Sequence, residues 1–287
     1  MKKNNFGLIG KTLAHSISDV LHQEIMKEAG IKGSYGMFEV EPENLDKVIA
    51  SMRVLNIVGL NVTIPYKQDI MRYLDEIDQK AIEIGAVNTI TLKENKAIGT
   101  NTDYDGFKLC LDKAGIAISK NGFTLLGAGG AAKAVIKVLQ DEKASKITLI
   151  SRNPDKTKLE YPDFEILTYE EIHEIKDKYC LVNCTPVGTY PNIEECPIKK
   201  EAIKKYSNVV DLIYNPQKTK LLKLADEYGI NNINGLYMLI GQALKAQEIW
   251  ASKSDFDLNN NFNTNLQKSD FRILSNQIFA KFVSLNN

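Results

Sequence analysis

Residues 122–140, GFTLLGAGGAAKAVIKVLQ, constrain the fold more than any other stretch. An apolar, strand-like run enters Gly127-Ala128-Gly129-Gly130-Ala131-Ala132 and leaves as a helix-spaced segment. The loop matches G-x-G-x-x-G/A, with Ala132 in the third place. In such a turn Gly127 makes the tight bend and Gly129 lets backbone amides approach a pyrophosphate. The helix start adds unpaired N–H groups at the positive end of its dipole. A strand before the loop and a helix after it predict a Rossmann dinucleotide-binding unit. The next strand, KITLIS, ends at Ser151 and is followed by Arg152 and Asn153. NAD sites usually offer an acid to the ribose hydroxyls here, whereas an arginine suits a 2′-phosphate, so the predicted cofactor is NADP.

The half before this loop also alternates between strands and helices. NFGLIG, YGMFEV and IVGLNVTI read as strands, the last running to Ile64 and stopped by Pro65. Helical spacing follows the first through Val20, Leu21, Ile25 and Met26, with Ser18 as a candidate cap and Gly30 as its end. It follows the second over residues 43–56 and the third over 68–86. VNTITLKENKAIGTNTD then reads as a hairpin turning at Glu94-Asn95. The alternation predicts a mainly parallel sheet with a terminal antiparallel edge. Ligands of such sheets bind beyond the carboxyl ends of the strands, which would bring AHSIS, Lys67 and the NTD segment to one rim.

At 287 residues the chain suits two domains, and 36 basic residues balance 36 acidic ones. That balance points away from nucleic acid and from an anionic membrane surface. The apolar runs fall short of a membrane span and the N-terminus lacks a signal-peptide core, so a cytoplasmic protein is expected. Cys110, Cys180, Cys184 and Cys196 show no CxxC spacing and read as reduced, mostly buried thiols, with no metal site. Beyond Ala251 an Asn/Ser/Asp-rich stretch to about residue 270 reads as a loose linker. A closing helix is expected after it, with Phe271, Leu274, Ile278 and Phe282 on one face.

Several short motifs, taken in order, resemble the shikimate dehydrogenase family. They are His15-Ser16-Ile17-Ser18, Asn61-Val62-Thr63-Ile64-Pro65-Tyr66-Lys67, Gly85-Ala86-Val87-Asn88-Thr89 and Asn101-Thr102-Asp103. The glycine loop, the strand end Ser151-Arg152-Asn153, an N-x-T-P-x-G segment and Gly235 through Ala243 complete the set, which spans about residues 6 to 250. Departures are Thr12 or Leu13 and Asp19 in place of flanking prolines, and Tyr237 in place of a glycine. The resemblance implies two α/β domains. Residues 1–103 would bind substrate on a mainly parallel sheet, with helices of 237–287 packing back on it, and 104–236 would form the NADP-binding Rossmann domain.

Carried over by residue, the resemblance implies Lys67 and Asp103 as the catalytic pair. Ser16 and Ser18 would hold the substrate carboxylate, and Thr63, Asn88, Asp103, Tyr214 and Gln242 would bind the rest of the substrate. Gly127, Ala128, Gly129, Gly130, Ala131, Ser151, Arg152, Asn153, Thr185, Leu212 and Gly235 would bind NADP. The implied reaction is reversible reduction of 3-dehydroshikimate to shikimate. Each role has a structural rival: Ser18 as a helix cap, Thr63 and Asn88 as partners of local backbone, Asp103 as a turn residue, Gln242 as a buried polar contact. His15 reads as structural. Three other readings compete: a quinate/shikimate dehydrogenase using NAD, a non-catalytic dinucleotide or metabolite sensor, and residues 120–250 as the Rossmann half of another dehydrogenase or reductase. Expected partners are a small-molecule substrate, no nucleic acid and no membrane, in a monomer or homodimer.

Overall fold

The six residues Ile57–Val62 are all buried, which puts this strand inside a sheet covered on both faces. The computed structural model, describing residues 4–14, 16–253 and 268–285, places the elements around it as follows. The chain begins with β1 (Asn4–Gly10), α1 (Ser18–Glu28), β2 (Gly33–Glu39), α2 (Val48–Leu55) and β3 (Ile57–Val62). Next come β4 (Glu76–Ile77), α3 (Gln79–Ile84), β5 (Thr89–Lys93), β6 (Lys96–Thr100) and α4 (Asp103–Ala114). They are followed by β7 (Gly122–Leu126), α5 (Gly130–Asp141), β8 (Lys146–Ile150), α6 (Pro154–Glu160), β9 (Glu165–Leu167) and β10 (Cys180–Asn183). The last are α7 (Lys200–Ile203), β11 (Asn208–Asp211), α8 (Lys220–Glu227), β12 (Asn231–Ile233), α9 (Leu236–Lys253) and α10 (Lys268–Leu285). The chain divides into two compact units, Met1–Gly106 with Ile240–Asn287, and Phe107–Leu239.

The first unit's sheet runs β2-β1-β3-β5-β6-β4. Of these strands β5 alone opposes its neighbours, so the sheet is mainly parallel. The hairpin turns at Glu94 and Asn95, whose φ values of 48° and 64° suit a two-residue turn matched to strand twist. It does not form the sheet edge, which corrects the expectation. Asp75 bonds Ala97 through its side chain (2.7 Å) and its backbone N–H (3.0 Å), and so lays β4 outside β6. The same pairing interrupts the helix expected over 68–86. A 3₁₀ turn (Asp69–Tyr73) and α3 remain, α3 being capped by the Asp78 side chain accepting from Ala81 N at 2.6 Å.

Other ends shift for local reasons. β3 stops at Val62 because Tyr66 N–H already turns back to Thr63 O (3.0 Å), leaving Ile64 75% exposed. The helix expected from residue 43 begins as the 3₁₀ turn Pro42–Lys47 before α2. Val20 lies one step off the face that buries Leu21, Ile25 and Met26, and is exposed. Ser18 starts α1 rather than capping it. Ile17 is the cap, with no side-chain cap bond, and Ser18 N–H is taken by the Ser16 hydroxyl at 3.3 Å.

Trp250, near the end of α9, is fully buried on this sheet. Its ring stacks on Phe6 (4.8 Å) and its Nε1–H donates to Ile90 O at 3.0 Å. Gly59 makes room for it, since a Cβ there would fall inside the indole. Gly59→Ala is therefore expected to destabilise this unit by about 1–3 kcal/mol through overpacking. The check is a denaturant midpoint read by fluorescence of this single tryptophan.

The second unit's sheet is parallel throughout, ordered β12-β11-β10-β7-β8-β9. In order of appearance within the unit this is 6-5-4-1-2-3, the doubly wound dinucleotide-binding arrangement. In α10, Ile278 and Phe282 are buried and Leu274 is partly so. The side chain of Phe271, residues 254–267 of the expected linker, and His15 lie outside the described residues. Among the described residues no helix is long and apolar enough to cross a membrane, and no His/Cys/Asp/Glu cluster could hold a metal.

Candidate active site

Strand direction gathers the first set of site residues. β1 and β3 are parallel, so Gly10 and Val62 end on one rim. β5 starts at that rim, with Thr89 opposite Asn61, and β6 returns to it, with Thr100 opposite Thr89. Hence the segments Thr63–Lys67, Asn88 and Asn101–Asp103 all leave the sheet at one place. Lys67 Nζ lies 2.6 Å from Asp103 Oδ2, and their side chains are only 20% and 10% exposed. Asp103 opens α4, where the positive end of the helix dipole favours a carboxylate. The backbone holds both ends of the pair: Val87 N–H donates to Lys67 O (2.8 Å) and Asp103 N–H to Asn101 Oδ1 (3.1 Å).

Asn88 is buried beside the pair, and its amide has one chemically sensible orientation. Thr102 N–H can only donate, so it meets Oδ1 at 2.7 Å, and Nδ2 then donates to Asp103 Oδ1 at 2.8 Å. Nδ2 also donates to Thr102 Oγ1 at 3.1 Å, so both its hydrogens are committed inside the protein. Asn88 thus orients Asp103, and a substrate hydroxyl would have to share one of these donors. Thr63 is partly exposed on the rim, held by its N–H to Ile9 O at 2.9 Å. Ser16 and Ser18 place their hydroxyls 3.0 Å apart, a spacing suited to one small anion. Gln242 is partly exposed on α9 in this same unit.

The remaining predicted residues belong to the second unit. Gly127 follows β7 with φ 86°, a left-handed conformation open to glycine, and a Cβ there would sit 2.8 Å from the Thr185 methyl. Gly129 caps α5 with no side chain bonding its first amides. A Cβ on Gly129 or Gly130 would meet nothing within 4 Å, so the glycines keep open the space a pyrophosphate needs. Ala128 and Ala131 lie partly exposed along the loop. Ser151 Oγ bonds Thr157 Oγ1 at 2.7 Å, and Asn153 caps α6 by accepting from Lys156 N. Arg152 between them is exposed and makes no hydrogen bond or ion pair among the described residues. These features fit a phosphorylated dinucleotide. Leu212 N–H donates to Asn183 O (3.1 Å), Gly235 N–H to Ile213 O (3.0 Å), and Tyr214 is partly buried, which raises its phenol pKa.

Polar residues with no role assigned from sequence turn out to brace both sets. In the second unit Asn183 Oδ1 accepts from Thr185 N (3.0 Å) and Oγ1 (2.7 Å), while its Nδ2 donates to Asp211 Oδ1 (3.0 Å). Asp211 is fully buried, and desolvation pushes its carboxyl up to about 6, against hydrogen bonds from Thr219, Ile213 and Asn183 that lower it. In the first unit Asn61 sits in the middle of an otherwise apolar strand. A polar residue inside such a run was the available signal for both, since burying one without partners is costly.

Known proteins resemble the chain over most of its length. The family model described as shikimate dehydrogenase substrate binding domain matches residues 8–90. The shikimate dehydrogenase (NADP(+)) of Clostridium perfringens is 45% identical over 247 residues, covering 85% of this chain and 91% of that protein. A solved chorismate mutase/shikimate 5-dehydrogenase fusion protein from Clostridium acetobutylicum superposes with a TM-score of 0.89 at 40% identity, covering 98% and 99% of the two chains. Shikimate dehydrogenase 1 from Peptoclostridium difficile gives 0.85 at 37% identity, covering 97% and 99%. The chain belongs to the shikimate dehydrogenase family.

Proposed function

We propose that this chain is an NADP-dependent oxidoreductase that reversibly reduces 3-dehydroshikimate to shikimate, in the route to chorismate and the aromatic amino acids. The observation that carries the chemistry is the Lys67–Asp103 pair, 2.6 Å apart on a half-dry rim. Bound NADPH would supply the hydride to the ring carbonyl carbon. The oxygen then takes the electron pair of the broken C=O π bond and needs a proton. The Lys67 ammonium stabilises that developing charge and gives the proton, and Asp103 holds the ammonium in place. In the reverse direction the lysine, as the free amine, takes the hydroxyl proton while the hydride leaves carbon. Ser16 and Ser18 hold the substrate carboxylate, with Thr63, Asn88, Tyr214 and Gln242 on its other polar groups. Incubation of 3-dehydroshikimate with NADPH tests the reading: shikimate and NADP+ should form in equal amounts, and their absence would sink it.

The glycine loop with Ser151, Arg152, Asn153, Thr185, Leu212 and Gly235 forms the NADP-binding set. Arg152 clamps the 2′-phosphate. Losing such a charge-assisted bond costs about 1.5–3 kcal/mol, so Arg152→Ala should raise the KM for NADP+ by about 10- to 100-fold. The KM for NAD+ should stay within about twofold, because NAD+ lacks the group. Parallel steady-state titrations of both cofactors check this. We place the enzyme in the cytoplasm, a reading its four free cysteines support.

A further inference from the structure

Behind the Lys67–Asp103 pair lies a buried row of polar side chains that the reaction as proposed does not use: Tyr35, Asn61 and Thr89. Tyr35 OH is 2.8 Å from Asn61 Oδ1, and Asn61 Nδ2 is 3.1 Å from Thr89 Oγ1. Thr89 Oγ1 is 3.0 Å from Asn88 Oδ1, and Asn88 Nδ2 reaches Asp103 at 2.8 Å. None of Tyr35, Asn61, Thr89 and Asn88 is more than 5% exposed.

Chemistry fixes the direction of the bonds at Tyr35, Asn61 and Asn88. Asn61 Nδ2 also faces Asn88 O (3.3 Å), and a carbonyl can only accept, so Asn61 Oδ1 must be turned to Tyr35. The tyrosine hydroxyl therefore donates. Thr89 Oγ1, having accepted from Asn61, turns its own proton to Asn88 Oδ1 at 3.0 Å, the nearer of two acceptors, Thr102 Oγ1 lying at 3.2 Å. Asn88 in turn can only donate to the carboxylate. Donors thus point one way through four residues and end on Asp103, with Lys67 donating to its other oxygen. Bonds aligned like this polarise one another, more so where water is excluded.

We propose that Thr89, with Asn61 and Tyr35 behind it, is a positioning residue of the reaction. Its hydroxyl joins the Thr102 N–H on Asn88 Oδ1 and so helps to set the Asn88 amide, which sets Asp103 and so Lys67. Thr89 touches neither substrate nor cofactor in this account, and the proposal rests on the reading that Lys67 and Asp103 carry the proton chemistry.

The test compares Thr89→Val with Thr89→Ser. Valine keeps the volume and branching and loses the hydroxyl, while serine keeps the hydroxyl and loses the methyl. If the hydroxyl matters, Thr89→Val lowers kcat for shikimate oxidation about tenfold, the scale of one buried donor left unpaired. The KM for NADP+ stays within about twofold, and Thr89→Ser stays within about twofold of wild type in both constants. If the site is mere packing, the order reverses. Wild-type kcat in Thr89→Val, or an equal fall in Thr89→Ser, overturns the proposal. Tyr35→Phe removes one atom at the far end and keeps the ring stacked on His22. It should lower kcat about threefold, and no change there also counts against the chain. A Lys67→Met enzyme that turned over normally would overturn the catalytic reading instead, whatever Thr89 shows.

Discussion

Lys67→Met is expected to lower kcat for shikimate oxidation by about 10²–10⁴-fold, the usual contribution of a positioned acid–base group. The change removes both the proton carrier and the charge that meets the oxygen. Methionine keeps most of the volume, and the lysine side chain is already 20% exposed, so the fold should survive. Asp103 keeps the Asn88 donor and the start of α4 when its ammonium partner is gone. Lys67→Arg separates the two roles of the lysine. Arginine restores the charge but does not give up a proton near neutral pH, so recovery of less than about tenfold assigns Lys67 to proton transfer. Recovery to near wild type assigns it to charge stabilisation and orientation. Steady-state kinetics of the three proteins, beside their thermal midpoints, decide between these outcomes.

The second large effect is on stability. His22 is fully buried, stacked on Tyr35 at 4.1 Å, with Nδ1 facing Gln247 Nε2 at 2.9 Å. Burial lowers its pKa from 6.5 to about 3. The folded chain therefore holds fewer protons than the unfolded one between those values. Stability from the neutral ring is complete above pH 6.5 and is lost as the pH falls, at about 1.4 kcal/mol per unit. By pH 5 the loss is about 2 kcal/mol, and by pH 3 about 3–5 kcal/mol. Asp211 works in the opposite sense. With its folded pKa near 6 and an unfolded value of 3.8, the folded chain holds the extra proton, so this group weakens the fold as pH rises from 3.8 to 6. Measured as the stability difference between wild type and His22→Phe, the effect should shrink by about 2 kcal/mol from pH 7 to pH 5. A difference that does not vary with pH would show that His22 is not held neutral.

Much of the fold could be read from local patterns. The glycine loop between β7 and α5, the Glu94-Asn95 turn and the buried run of β3 each follow from residue chemistry over a few positions. What could not be read depends on partners distant in sequence. The break of the 68–86 helix follows from Asp75 pairing with Ala97, 22 residues away, and no spacing of apolar residues announces that. The same holds for the site. Lys67, Asp103 and Asn88 stand out through their motifs, whereas the parts played by Asn61 and Thr89, in the same motifs, and by Asp211 rest on side chains that meet only once the sheets form. Ser18 illustrates the reverse error. A serine before a helical run suggests a cap, but Leu21 N–H bonds Ile17 O at 3.0 Å, so the helix starts one residue earlier and Ser18 lies inside it.

Hydride transfer compared across four pairs, shikimate or quinate with NADP+ or NAD+, decides whether this chain is an NADP-dependent shikimate dehydrogenase. It is followed by the absorbance of the reduced nicotinamide. Shikimate with NADP+ should give the highest kcat/KM, with quinate slower on the same cofactor and NAD+ slower with either substrate. Quinate with NAD+ as the best pair, or no turnover with any of the four, would contradict that reading.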